Sequence, residues 1–174
     1  FIEEYDVAQI SMNLTHISIT PVHIAYDEVW KKADARGLRV TGSELVGLIP
    51  LEAMLEAGRY FLRKQERSVG VANDELIRIA IKSMGLAELK PFNPKERIIE
   101  YMLESNTSKL VDMTLTGFAN ETASESPAPG GGSIAAYTGV LGVSLGTMVA
   151  NLSAHKRGWD DRWEAFSKVA ERGK

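Results

Sequence analysis

The sequence has 174 residues, of which 44% are hydrophobic and 25% are charged. That length holds one domain or two small ones, and the composition is ordinary for a globular protein. A net charge of −3 gives no electrostatic footprint for nucleic acid, and the lack of cysteine excludes disulfides, thiolate zinc sites and a cysteine nucleophile. A cysteine-free chain also fits a reducing compartment, so we expect a cytoplasmic protein.

Strand-like and helix-like segments alternate in the first part of the chain. Strands or short apolar runs are predicted at residues 6–20, 38–40 and 45–49. One helix is predicted from Pro21, with Thr20 as its N-cap, to Gly37, and another begins at Pro50. This order is typical of an α/β arrangement.

Two more helices are predicted before the middle of the chain ends. Asn73 is the expected N-cap of a helix that closes at Gly85. Asn93 caps the next helix, in which Pro94 takes the first position, and this helix is expected to end near Glu104.

The polar stretch at residues 105–109 is the predicted domain boundary, because linkers between domains are exposed and poor in core residues. We therefore predict a first domain over residues 1–104 and a second over residues 110–174. Almost all of the second domain has helical spacing, including an amphipathic piece over residues 160–171.

A loop of prolines and glycines at residues 126–132 precedes a long uncharged helix that runs to Ala154. Ser133 is the predicted N-cap. Interior glycines form a second helix face, and each costs about 1 kcal/mol against alanine, which indicates the close approach of another backbone or of a ligand. The helix N-terminus offers unpaired amides and a partial positive charge that suit an anion. A flexible linker leading into a buried helix explains the same pattern equally well.

The uncharged run also has the length of a membrane span, which is roughly 20 residues. Its glycines and hydroxyl residues, its Asn151, and the lack of a preceding Lys or Arg cluster favour a helix buried in a bundle or at an oligomer interface. We therefore expect no membrane partner.

The sequence offers few groups for catalysis. Its three histidines, His16, His23 and His155, have no partners at metal-ligand spacing, so we predict no metal site and no catalytic residue in the chain. Glu44 is the least ordinary carboxylate, since it lies at a strand-to-helix turn, where the ligands of α/β folds gather.

A polar stripe runs along the first predicted strand. Because side chains alternate along a strand, Gln9, Ser11 and Asn13 share one face. Their amides and hydroxyl can form hydrogen bonds with a heterocycle that carries both donors and acceptors. The exposed face of an edge strand is the plainer explanation, and both stay open on the residues alone.

Four stretches, taken together and in order, resemble the formiminotransferase-cyclodeaminase family. They are VAQISMNL at residues 7–14, VTGSELVGLIPLEAML at residues 40–55, PFNPKERIIEYML at residues 91–103 and SPAPGGGSIAA at residues 126–136. The resemblance implies that residues 1–104 are the C-terminal subdomain of a transferase domain with an α+β, ferredoxin-like fold. It implies that residues 110–174 begin an all-α helical bundle, the cyclodeaminase domain.

The family transfers a formimino group from formiminoglutamate to tetrahydrofolate, and then closes the ring to 5,10-methenyltetrahydrofolate with release of ammonia. The resemblance therefore implies tetrahydrofolate, with or without a polyglutamate tail, as co-substrate, no metal, and homo-oligomers formed through the helical domain. The alternative is a non-enzymatic folate-binding or oligomerisation module.

By the same resemblance, nine residues are expected to bind folate. Five lie on the first strand and four at the start of the long helix: Gln9, Ile10, Ser11, Met12, Asn13, Gly130, Gly131, Gly132 and Ser133. Glutamate carboxylates on the folate tail would suit the anion-accepting helix end.

We expect the isolated chain to be catalytically inactive. In the family, the transferase histidine lies before the part that resembles this chain, and the cyclodeaminase carboxylate lies after it. A turnover assay on the purified 174-residue chain checks this, and methenyl product above background would contradict it.

Overall fold

A computed structural model of the chain describes residues 1–103 and 110–174. Helices dominate these two ranges. The α-helices are α1 (Val22–Asp34), α2 (Leu51–Lys64), α3 (Asn73–Met84), α4 (Pro94–Arg97), α5 (Ile99–Leu103), α6 (Leu115–Thr122), α7 (Gly131–Ala154) and α8 (Trp163–Gly173). Short 3₁₀ turns lie at Glu3–Tyr5, Leu110–Asp112 and Asp160–Arg162. The predicted boundary at residues 105–109 and the predicted helix end at Glu104 lie outside the described residues.

The predicted strands do not build a sheet within the described ranges. Residues 8–14 have no regular structure, and they leave Ile10 70% and Met12 46% exposed. The β-pairing that the described ranges contain is two isolated bridges, Ile2 with Val7 and Ile49 with Ile98. A strand needs a neighbour to pair its backbone groups, and these ranges supply none to residues 8–14. The ferredoxin-like sheet expected for residues 1–104 is therefore not present in the described structure.

The core lies between α2 and α3, which pack directly against each other. Both helices are amphipathic, because their apolar residues recur every three or four positions. From α2 the buried residues include Met54, Leu55, Phe61 and Leu62, and from α3 Leu76, Ile77, Ala80 and Met84. The two helices approach closely at Gly58, where an added Cβ would overlap the backbone carbonyl of Leu76. Gly58 therefore sets the distance between the two helices.

Helix starts fall within a few residues of their predicted positions, but several caps shift. Pro21 and Pro50 stand at the N-cap positions of α1 and α2, so Thr20 is not a cap. Ala72, not Asn73, is the N-cap of α3. The side chains of Pro21, Pro50 and Ala72 cannot accept a capping bond, so these three helices begin without that bond, which is worth about 1 kcal/mol.

The cap predicted at Asn93 is confirmed. Its side-chain oxygen accepts from the Lys95 amide at 3.1 Å, and its amide nitrogen donates to Glu96 at 2.7 Å. The helix that follows is interrupted at Ile98, whose backbone is extended. Ile98 is fully buried and pairs with Ile49, so core packing there overrides helix continuation.

The second part of the chain is a hairpin of α7 and α8, which pack against each other. Within the described ranges α7 is the helix long and apolar enough to cross a membrane by length and composition, and little of it is buried. Its buried residues are Ala150 and Ala154, both near its C-terminal end. Most of the face that the sequence predicts to be packed is therefore exposed in this chain.

Replacing Gly58 with alanine should lower the free energy of unfolding by about 1–3 kcal/mol, because the new methyl group overpacks the α2–α3 contact. Gly139→Ala is the matched control: it is also a helical glycine, but its added Cβ meets no atom within 4 Å. That variant should be unchanged or stabilised by up to about 1 kcal/mol. Urea denaturation of both variants measures the difference, and equal stabilities would contradict the close contact.

Candidate functional site

The N-terminus of α7 is the first candidate site. The helix begins at Gly131 with Gly130 as its N-cap, so the prediction of Ser133 as cap is wrong, and Ser133 lies in the first turn. The amide of Ile134 donates to the Gly130 carbonyl at 3.1 Å, which starts the helical ladder. Amides before that point have no intrahelical acceptor, and the first turn carries no acidic residue. This end of α7 therefore presents donors and partial positive charge.

The glycines at this helix end border open space. A Cβ added at Gly131 or Gly132 would meet no atom within 4 Å, and both residues are exposed. Neither has a positive φ angle. The packing and backbone of the described chain therefore do not require glycine at these two positions, which leaves close approach of another molecule as a reason for them.

An aromatic pair lies one turn further along α7. The rings of Phe118 in α6 and Tyr137 in α7 have centroids 5.5 Å apart and are tilted by 56°. Tyr137 follows Ser133 by four positions, so the two side chains lie on the same face of the helix. Free amides and an exposed aromatic surface thus occur on the same end of α7.

The second predicted set, Gln9–Asn13, has no regular secondary structure and is exposed at every position. Since these residues form no strand, the alternation that would place Gln9, Ser11 and Asn13 on one sheet face is not present. In the described ranges no hydrogen bond, ion pair or ring contact joins this set to Gly130–Ser133. The structure does not bring the two sets together.

The turn that contains Glu44 has a structural role. The Ser43 hydroxyl donates to the Met84 carbonyl at 2.6 Å, and the Ser43 amide donates to the Gly85 carbonyl at 3.1 Å. The Glu44 carboxylate lies 3.8 Å from the Lys90 ammonium, both side chains being partly exposed. The turn therefore satisfies carbonyls at the end of α3, which is an ordinary need of a helix C-terminus.

A cluster of polar residues between α1 and α2 was not found from the sequence. The buried Asp27 carboxylate accepts from the Tyr60 hydroxyl at 2.5 Å and from the Lys64 ammonium at 2.7 Å. The His23 ring lies against the Tyr60 ring, with centroids 4.5 Å apart. His23 is also buried, and its Nδ1 has no hydrogen-bond partner among the described residues. The available signal was two pairs at helical spacing, His23 with Asp27 and Tyr60 with Lys64.

These contacts shift the protonation of the cluster. Burial alone would raise the pKa of Asp27, but hydrogen bonds from Lys64 and Tyr60 and the Lys64 charge outweigh it and hold the pKa below its usual value. The bond to Asp27, with burial, raises the pKa of Tyr60 to about 12. Burial lowers the pKa of His23, against the opposing charges of Glu56 and Asp27. The cluster is thus an ionised carboxylate with two donors beside a neutral imidazole.

Two open clefts lie beside this cluster and share Trp30. The larger, about 510 Å³, is lined by Trp30, Asp34, Gly37, Leu38, Arg39 and Val40. The smaller, about 210 Å³, is lined by Tyr26, Asp27, Trp30, Phe61, Lys64 and Ser83. Neither contains a residue of the predicted folate sets. In the two described ranges, no group of three or more His, Cys, Asp or Glu side chains could hold a metal.

Comparison with known proteins finds similarity to two domains in order. A family model described as the formiminotransferase domain matches residues 1–104, and a model described as formiminotransferase-cyclodeaminase matches residues 114–174. The formimidoyltransferase-cyclodeaminase of Gallus gallus is 41% identical over 159 residues, which are 90% of this chain and 29% of that protein. The Dictyostelium discoideum protein of the same name is 39% identical over 173 residues, which are 97% of this chain and 31% of that protein.

Another relative matches a smaller share of the chain. The glutamate formimidoyltransferase of Thermoplasma acidophilum is 38% identical over 63 residues, which are 36% of this chain and 21% of that protein. The chain thus spans less than a third of the length of these curated relatives.

Stability should fall as the pH drops below about 6.5, the ordinary pKa of histidine. Because the folded-state pKa of His23 is lowered, the unfolded chain binds more protons below that pH, and stability is lost as the pH falls towards the folded-state value. Urea denaturation at pH 7.5 and pH 5.5 should show a smaller loss for His23→Gln than for the unchanged protein.

His155 needs its own control, because burial and the charge of Arg67 also lower its pKa. His155→Gln should remove only the part of the stability loss between pH 7.5 and pH 5.5 that His155 causes. The double variant should lose less stability over this pH range than either single variant. A pH dependence in His23→Gln identical to that of the unchanged protein would contradict a neutral, buried His23.

Proposed function

Because this chain belongs to the formiminotransferase family, whose domain model matches residues 1–104, we propose that it is a segment of a bifunctional folate enzyme. The proposed enzyme transfers a formimino group from formiminoglutamate to tetrahydrofolate. It then converts 5-formiminotetrahydrofolate to 5,10-methenyltetrahydrofolate and ammonia. The observation that carries the proposal is the cyclodeaminase match at residues 114–174, in the same chain and directly after the transferase match.

The α+β, ferredoxin-like fold of the first domain is part of this proposal. Residues 8–14 have no regular secondary structure and leave Ile10 exposed to water, and Leu38 and Val46 are exposed as well. We infer that these segments become strands by pairing with parts of the full-length protein that this chain does not contain. The 29% coverage of the Gallus gallus relative supports that inference, since most of such a protein lies outside the chain.

The N-terminus of α7 is proposed to hold the folate tail. Glutamate carboxylates need donors and positive charge, and the first-turn amides from Gly131 to Ser133 supply both. Phe118 and Tyr137 offer a ring surface beside them on which the aminobenzoyl ring can pack. The bare glycines leave room for the ligand to approach the backbone. A longer glutamyl tail would add carboxylates that bind by the same attraction to the helix end. The proposed site uses no metal.

The Gln9–Asn13 segment is proposed to contact folate in the transferase domain. Its amide and hydroxyl side chains carry both donors and acceptors, which a pterin ring requires. All five residues are exposed in this chain and so are accessible to a ligand. Once the segment pairs as a strand, Gln9, Ser11 and Asn13 would lie on one face.

The exposed side of α7 is proposed to be an oligomer interface between copies of the protein in the cytoplasm. A contiguous apolar surface of this kind is costly in water and marks an interaction site. Its residues include Val140, Leu141, Leu145, Met148, Val149 and Leu152. The alternative function, a non-enzymatic folate-binding or oligomerisation module, uses the same helix without turnover.

The decisive assay supplies full-length protein with formiminoglutamate and tetrahydrofolate and measures methenyl product and ammonia. Formation of both supports the enzyme. Folate binding without either product would support the binding module instead.

Gly131→Val should weaken tetrahydrofolate binding to the full-length protein about tenfold, equivalent to about 1.4 kcal/mol, because the side chain would fill the space beside the first-turn amides. The substitution is unstrained in the chain itself, since nothing lies within 4 Å of the added Cβ. Gly139→Val, the same change in the middle of α7, should bind as the unchanged protein does. Calorimetry measures both, and full affinity in Gly131→Val would refute this site.

A further inference from the structure

The two family-matched parts of the chain meet at a polar contact centred on Asn151 of α7. The Asn151 side-chain nitrogen donates to the Gly70 carbonyl at 2.8 Å, and its oxygen accepts from the Ser68 hydroxyl at 2.6 Å. Ser68 and Gly70 belong to the connection between α2 and α3. The side-chain amide of Asn151 therefore bonds with both a donor and an acceptor on the same short segment.

The contact demands an amide at position 151. An aspartate would place a second acceptor against the Gly70 carbonyl, and a leucine would leave both partners unsatisfied. The Ser68 hydroxyl donates its one proton to Asn151, and it also accepts from the Gly70 amide at 3.2 Å. Ser68 is 1% exposed, so water cannot replace a lost partner there.

Helix α8 closes the same contact from the other side. The Val69 amide donates to the Ser167 hydroxyl at 3.2 Å, and both residues are buried. Gly70 lies so close to Ala170 that an added Cβ would overlap the alanine side chain. The segment at residues 68–70 thus sits between α7 and α8 at a separation that only glycine allows.

The buried part of α7 coincides with this contact. Ala150 and Ala154 are its buried residues, and they flank Asn151 on adjacent turns. Elsewhere α7 is largely exposed. The connection that carries Ser68 and Val69 is anchored at both ends in the α2–α3 core, so the α7–α8 hairpin is attached to a rigid part of the first domain.

We propose that Ser68, Asn151 and Ser167 form a permanent interdomain joint, which fixes the start of the cyclodeaminase-like domain on the transferase-like domain in the full-length protein. The joint fixes the orientation of α7, because its hydrogen bonds form in only one arrangement of donors and acceptors. An apolar contact would tolerate several orientations. The inference needs the two family-matched domains but not the proposed activity.

Hydrogen exchange on the full-length protein tests the joint. The Val69 amide should exchange slowly, and Ser167→Ala should accelerate its exchange at least tenfold while the amides of α3 keep their rates. Ser144→Ala, at an exposed position of α7, is the control and should change neither. Exchange of Val69 at the rate of an open loop in the unchanged protein overturns the proposal.

Disulfide trapping supplies a second measurement in the 174-residue chain, which has no cysteine of its own. The S68C/N151C pair should form an intramolecular disulfide on mild oxidation, seen as a loss of two mass units in the monomer. The S68C/S144C pair should not. Equal cross-linking of the two pairs overturns the proposal. Neither readout involves folate, so the joint can fail or hold whatever the outcome of the activity assays.

Discussion

The close approach of α2 and α3 at Gly58 is the constraint from which the rest of the structure follows. It allows the apolar faces of both helices to interlock around Met54 and Leu76, which have no exposed surface. Ile49 and Ile98 extend this core by pairing across the start of α2. Because the connection between the helices is held at both ends, residues 68–70 present a fixed backbone to the second part of the chain. The orientation of α7 thus depends, through residues 68–70, on the α2–α3 contact that Gly58 allows.

The chain stabilises its two contacts by different physical means. The α2–α3 contact is apolar, so its strength comes from area removed from water. The contact between residues 68–70 and the α7–α8 hairpin is small and polar, and its value lies in specificity. A buried hydroxyl that loses its partner costs about 1–3 kcal/mol, which penalises any other docking of the hairpin. The cluster around Asp27 has the same character, since it orders α1 against α2 through one carboxylate with two donors.

The sequence predicted what depends on neighbouring residues and missed what depends on distant ones. Helices were predictable because Pro50, Gly85 and the Asn93–Glu96 cap act within a few positions of themselves. Caps at Thr20, Asn73 and Ser133 failed because these helices have Pro21, Ala72 and Gly130 at the N-cap position, where no side chain makes a capping bond. The predicted strand at Gln9–Asn13 needs a partner strand that the described chain lacks. Ser68 and Asn151 are 83 residues apart, and no local pattern marks their hydrogen bond.

The Asn151 contact also bears on covalent modification of the chain. Asn151, Leu152 and Ser153 spell an acceptor sequence for N-linked sugar, which would be attached through the same amide nitrogen that donates to Gly70. A sugar there would have to occupy the space of the buried Ser68 and Val69. Glycosylation at Asn151 and the docked hairpin therefore exclude each other. We therefore interpret the motif as a consequence of the Asn151 contact and not as a glycosylation site.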